Sequence, residues 1–123
     1  MKKISLIGGG LVASKFIKKI LNSNFLFQYY CPTSNFEEFN NLTIQDCKNL
    51  NLFITHEIDK LSESDLIISA GNHKIIDNNF LDRNFVLNFH AAPLPKYGGS
   101  AGPAFALINS EKEFGCTFQK MET

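Results

Sequence analysis

The stretch ISLIGGGLVASKFIKKIL, residues 4–21, decides the fold class. Ile4 to Gly8 is a continuous apolar run of β type, without the alternation expected of a strand with one wet face. Gly8, Gly9 and Gly10 stop it. From Leu11 to Leu21 apolar side chains return at helical spacing, at Leu11, Phe16, Ile17, Ile20 and Leu21. The unit is a strand, a glycine turn and a helix.

Outward from this unit the alternation continues. FLFQYY (25–30) reads as a second strand, stopped by Cys31-Pro32-Thr33-Ser34-Asn35, and a polar, helix-compatible stretch leads to a third, NLFIT (51–55). DLIISA (65–70), closed by Gly71-Asn72, and FVLNFH (85–90) are the fourth and fifth. A loop rich in proline and glycine, Pro93 to Pro103, precedes a short helix at Ala104 to Asn109, and GCTFQKM (115–121) supplies a last strand. Continuous apolar strands separated by helical segments predict an α/β, Rossmann-like domain: a mostly parallel sheet with helices on both faces. Right-handed crossovers give the strand order 3-2-1-4-5.

The 123 residues suffice for one domain and one core. Hydrophobic residues make up 44% and charged residues 20%, which excludes disordered and fibrous classes. Twelve Lys and Arg balance twelve Asp and Glu, so no global positive field gathers nucleic acid or an anionic membrane. Cys31, Cys47 and Cys116 are odd in number and widely spaced, which fits reduced thiols and neither a zinc site nor a disulfide framework. The apolar run after Met1-Lys2-Lys3 is broken at Gly8, well short of the roughly 7–15 residues of a secretory core or the roughly 20 of a membrane span. The expected location is the cytoplasm.

GGGLVAS partly matches the phosphate-cradling G-x-G-x-x-G turn, with Gly8 and Gly10 at the first two positions and Ala13 at the third. The acidic residue that would bind a ribose, about 20 residues further on, is replaced by Tyr29, Tyr30 and Cys31. The turn therefore reads either as an NAD site or as a tight structural reversal that brings the helix onto the sheet.

The chemistry-bearing segment is LNFHAAPLPKYGGSAGPAFALINSEKEFGCTFQKM, residues 87–121. Asn88 and His90 are two apart on a strand and share a face. Both stand at the carboxyl end of that strand, where open α/β sheets place their ligand crevice. They either converge on a ligand or cap the backbone of their own loop.

N-x-H, a Leu-Pro pair, a glycine, a short helix and then G-C-T before a last strand resemble the 10-formyltetrahydrofolate-dependent formyltransferases. KISLIGGG, DLIIS, NFHAAPLP and EFGCTFQKM fall in that family's order along nearly the whole chain. The resemblance implies that residues 1–123 are the N-terminal, folate-dependent catalytic domain, with 10-formyltetrahydrofolate as formyl donor and no metal. Asn88 would donate a hydrogen bond to the developing oxyanion, and His90 would stabilise the same charge or shuttle a proton. Gly71, Lys74, Ile75 and Ile76 would lie along the pteridine and its linker, Ile75 and Ile76 supplying apolar surface. Lys74 and Lys96 are the basic residues nearest the cleft and read either as solvated surface lysines or as contacts for the folate glutamate tail or a substrate phosphate; His73 reads as a solvated loop residue. The twelve phenylalanines, Phe85, Phe89, Phe105 and Phe118 among them, read as core.

Among the family's branches the resemblance favours a nucleotide-linked amino sugar as the small-molecule amine substrate, with methionyl-tRNA as the alternative acceptor. A homodimer is compatible with it and a membrane partner is not. The family's third catalytic group, an Asp after the last strand, would fall at about position 126. The chain stops at Thr123, so a truncated domain with little turnover of its own is expected. Ala92 and Gly98 stand where the family commonly has a serine and an arginine. A nucleotide-binding module resting on the glycine turn and a non-catalytic remnant are the competing readings.

Overall fold

A computed structural model of the chain describes residues 2–32, 37–99 and 101–123. Among them run β1 (Lys3–Gly8), α1 (Gly10–Leu21), β2 (Leu26–Pro32), α2 (Glu37–Asn49), β3 (Phe53–Ile54), a 3-10 helix (Ile58–Glu63), β4 (Leu66–Ala70), α3 (Asn78–Arg83), β5 (Val86–His90), α4 (Gly102–Ile108) and β6 (Thr117–Lys120). The strands form one sheet in the order β3-β2-β1-β4-β5-β6. β1 to β5 pair in parallel and β6 is antiparallel to β5. The order expected from the sequence holds, and β6 extends it at the β5 edge.

Helices lie on both faces. On one, Ala13, Ile17 and Ile20 of α1 and Cys47 of α2 pack onto Ile4, Leu6, Phe27, Tyr30, Ile68 and Ala70. On the other, Leu61 of the 3-10 helix, Ile76 and Phe80 pack onto Ile7, Ile67 and Val86. Each large aliphatic side chain buried in this way stabilises the fold by about 1.5–3 kcal/mol. The apolar stripe of α1 is narrower than its spacing suggested: Leu11 and Leu21 are exposed at its two ends, and Ala13 takes a core position. The 3-10 helix and α3 were not foreseen, because six residues are too few to display a period. The local signal for α3 is Asp77, whose carboxylate accepts from the Asn79 amide at 2.8 Å as an N-cap.

The phenylalanines depart from expectation. Phe85, Phe105 and Phe118 are about half exposed (50%, 55% and 51%), and Phe89 is half-buried. Phe89 packs edge-on against Phe16 and Phe118, with ring centroids 5.4 Å apart in both pairs. The physical reason is coverage: from α1 the ring of Phe16 reaches this corner of β5 and β6, 6.1 Å from that of Phe118, which covers one side of the aromatic group and leaves the other accessible. Among the described residues no helix is long and apolar enough to cross a membrane.

The glycine turn is taken up by internal packing. Gly8 has φ +141°, and a Cβ built on it would lie 1.7 Å from the Ala70 carbonyl oxygen. The Gly9 amide donates to that same oxygen at 3.3 Å. Tyr30 Oη donates to the Gly8 carbonyl at 2.7 Å, and Thr43 Oγ1 donates to the Gly10 carbonyl at 2.9 Å. Tyr30, at the place where a ribose-binding acid would stand, is fully buried, and burial pushes its phenol well above the ordinary tyrosine range. These observations favour a structural reversal over a pyrophosphate cradle.

Candidate active site

β5 enters the core at Val86 and becomes progressively accessible towards its carboxyl end, where Asn88 and His90 are both half-buried. Register places Ser69 of β4 beside Asn88 on one side and Gln119 of β6 on the other, with Thr117 opposite His90. Neighbours in register share a face, so Ser69, Asn88 and Gln119 form a polar row across three strands. Ser69 Oγ is buried and has no hydrogen-bond partner among the described residues. The Asn88 side chain likewise makes no hydrogen bond among them.

At the carboxyl end of β5 is a cleft of about 340 Å³, with Asn88, His90, Gly71, Asn72 and His73 among its lining residues and Val12 and Pro103 adding apolar wall; of the polar row only Asn88 reaches it. Gly71, at φ +63°, turns the chain sharply as it leaves β4. The Asn72 side chain then accepts from the Lys74 amide and donates to the Lys74 carbonyl, both at 2.9 Å, which fixes the loop over the cleft. Of the four residues expected to hold a cofactor, Gly71 lines the cleft, while Lys74 and Ile75 are exposed on the loop. Ile76 differs from expectation: it is 5% exposed and sits in the core with Phe80 and Val86, so its side chain anchors the loop and offers no surface to a ligand.

The other wall is the loop after β5. Thr117 Oγ1 donates to the Ala92 carbonyl at 2.8 Å and accepts from the Leu94 amide at 3.0 Å, pinning the loop's first turn to β6. The Leu94–Pro95 peptide is cis. The chain then returns to His90, whose Nε2 lies 3.2 Å from the Tyr97 carbonyl oxygen. The bland alternative for the pair is thereby half true: His90 does contact its own loop, and among the described residues the Asn88 side chain makes no hydrogen bond to it.

A profile of the family described as formyl transferase matches residues 28–123, more than three quarters of the chain. The chain belongs to the formyl transferase family. The match begins beyond the glycine turn and includes Asn88 and His90. The methionyl-tRNA formyltransferase of Streptococcus uberis is 40% identical to this formyl transferase family member over 60 residues, 48% of the chain and 19% of that relative. The phosphoribosylglycinamide formyltransferase of Anaplasma phagocytophilum superposes with a TM-score of 0.79 at 16% identity, over 99% of this chain and 65% of that one. A sugar N-formyltransferase of Shewanella sp FDAARGOS_354 gives 0.73 at 19% identity, over 99% and 52%. At such identities the structural likenesses show the fold. The matched segment thus spans about a fifth of the curated relative, and the chain spans one half to two thirds of the two solved structures.

Sequence reading missed Asn72 as the brace of the Gly71 loop, Thr117 as the pin of the opposite loop, and Gln119 beside Asn88. For Thr117 and Gln119 the signal was available, since an antiparallel last strand of period two must present them to the same face as Asn88 and His90. His73 is an exposed loop residue, as its sequence context suggests, and it also lines the cleft.

Proposed function

We propose that this chain carries the formyl-transferring half of a site that moves a formyl group from 10-formyltetrahydrofolate to a primary amine. The observation that supports the reading is that Asn88 and His90, on one strand end, both line the cleft, the Asn88 amide making no hydrogen bond among the described residues. The donor fits the residues present. A cleft of about 340 Å³ suits a heterocycle and its linker better than a whole dinucleotide. Gly71 and its neighbours offer a backbone edge for the heterocycle, and Ile75, fully exposed, offers apolar surface. Lys74 stands at the outer end of the same loop, where a glutamate tail would pass.

The amine nitrogen attacks the formyl carbon, a new C–N bond forms, and the carbon–nitrogen bond to the folate breaks. Negative charge gathers on the formyl oxygen while the amine becomes positive. Asn88, a donor that needs no reorganisation, supports that oxygen, and the loss of such a donor typically costs about 10²–10³-fold in rate. In this reading His90 takes the amine proton, which ends on the departing folate nitrogen.

The acceptor we favour is the amino group of a nucleotide-linked sugar. Support comes from zero net charge, which offers no global field to a polyanionic tRNA. A methionyl-tRNA acceptor is the second reading, favoured by the names of the sequence relatives. Either reaction belongs in the cytoplasm.

Titrating the chain separately with 5-formyltetrahydrofolate and with NAD tests the donor. Saturable folate binding, weakened in Asn88→Ala, and no response to NAD are expected; saturation by NAD alone would overturn the reading. Labelled formyl transfer to an amino-sugar nucleotide and to charged initiator tRNA separates the two acceptors.

A further inference from the structure

We propose that Tyr97 is a positioning residue for His90, holding the imidazole through its backbone carbonyl while its own side chain is moored to the far end of α4. A carbonyl oxygen can only accept. The 3.2 Å contact with His90 Nε2 is therefore a hydrogen bond only when Nε2 carries the proton, and the neutral ring then keeps its lone pair on Nδ1. The carbonyl reaches His90 because Tyr97 adopts φ +56°, a left-handed conformation that costs an L-residue about 1–2 kcal/mol. Glycine would take that conformation without cost, and Gly98 and Gly99 stand next in the chain. The side chain explains why a tyrosine is held there.

Its hydroxyl donates to Glu111 Oε1 at 2.8 Å and accepts from Asn109 Nδ2 at 3.1 Å, both just beyond the last turn of α4. Its ring packs against Phe114 with centroids 5.9 Å apart. The start of α4 abuts the other end of the residue: a Cβ built on Gly102 would lie 3.0 Å from Tyr97 Cβ and 3.1 Å from the Tyr97 oxygen itself. One end of α4 thus fixes the phenol and the other limits where the carbonyl can go. The outcome is a single tautomer and ring orientation for His90, set by a residue that need not touch substrate. Only its kinetic consequence rests on the catalytic reading of His90.

Long-range ¹H–¹⁵N spectra of the labelled 123-residue chain, with His90 assigned by His90→Gln, test the geometry without any assay of activity. The neutral ring is expected to be protonated at Nε2, with that proton exchanging slowly with water. Tyr97→Leu should speed the exchange at least tenfold. Tyr97→Phe and Glu111→Ala, which keep a ring and remove the mooring, should speed it severalfold, and so should Gly102→Ala, which pushes on the carbonyl. Unchanged urea midpoints and unchanged amide resonances of the buried strands β1 and β4 report an intact fold. A wild-type ring protonated at Nδ1, or exchange unaltered in Tyr97→Leu with the fold intact, would overturn the proposal. In formyl transfer, Tyr97→Phe should lower kcat with the donor KM unchanged. If exchange responds and kcat does not, the positioning stands and the catalytic role of His90 fails.

Discussion

Replacing Gly8 with alanine separates the two readings of the glycine turn. The new Cβ would sit 1.7 Å from the Ala70 carbonyl oxygen and 2.7 Å from its carbon, at a backbone φ of +141°. No rotamer relieves the overlap, because both atoms belong to the backbone of β4, the strand paired in parallel with β1. Backbone strain of about 1–3 kcal/mol adds to an overpacking cost of similar size, for a loss of roughly 2–6 kcal/mol. A domain of this length has about 6–18 kcal/mol to lose. The thermal midpoint should fall by roughly 10–20 °C and the urea midpoint by about 1–3 M. The assay is urea and thermal unfolding without ligand, with Gly115→Ala as the control, since a Cβ there meets nothing within 4 Å and should change stability by no more than about 0.5 kcal/mol. A Gly8→Ala chain as stable as the wild type, but unable to bind a ligand, would refute the packing argument and restore the phosphate cradle.

Asn88→Ala should weaken binding of 5-formyltetrahydrofolate while changing stability by no more than about 1 kcal/mol, because the side chain makes no hydrogen bond among the described residues; ligand titration and urea melts read both. Tyr30→Phe removes the buried donor to the Gly8 carbonyl and should cost about 1–3 kcal/mol in the same melts. Burial raises the Cys47 thiol from 9.0 to about 12, so above pH 9 the unfolded chain releases a proton that the folded chain retains. Stability is therefore full below pH 9 and falls by about 1.4 kcal/mol per pH unit as the pH rises towards 12, a slope that Cys47→Ala should make shallower. Thiol titration of the native chain should modify exposed Cys116 quickly and buried Cys31 and Cys47 only on unfolding.

The parts of the fold legible in the sequence are those where one pattern has one physical cause. Continuous apolar runs at Ile4, Leu66 and Val86 can be satisfied only by strands covered on both faces, and they become β1, β4 and β5. Period two placed Asn88 and His90 on one face without any knowledge of the loops. The phenylalanines fail because hydrophobicity states what a side chain gains from burial, not what lies over it; Phe118 meets the edges of Phe16 and Phe89 and is still half exposed. Ile76 fails for the converse reason, since a residue in a loop facing a cleft can equally well turn under and anchor that loop to the core.

What no pattern could show is the contact that orders the site. The partner of His90 is a backbone carbonyl, which every residue carries, and its reach depends on a left-handed Tyr97 seven positions along the chain. The side chains that secure Tyr97 lie a further twelve and fourteen positions on, at Asn109 and Glu111, across a helix of seven residues whose first residue must be glycine-sized to fit. The stretch from β5 to β6 accordingly acts as one unit in which α4 is a strut. Its buried residues are only Gly102 and Ala106, too little apolar surface to hold a helix for its own sake. The helix is held because it closes the polar chain from Glu111 through Tyr97 to His90. Changes in α4 that never reach the cleft should for that reason alter the histidine before they alter the fold.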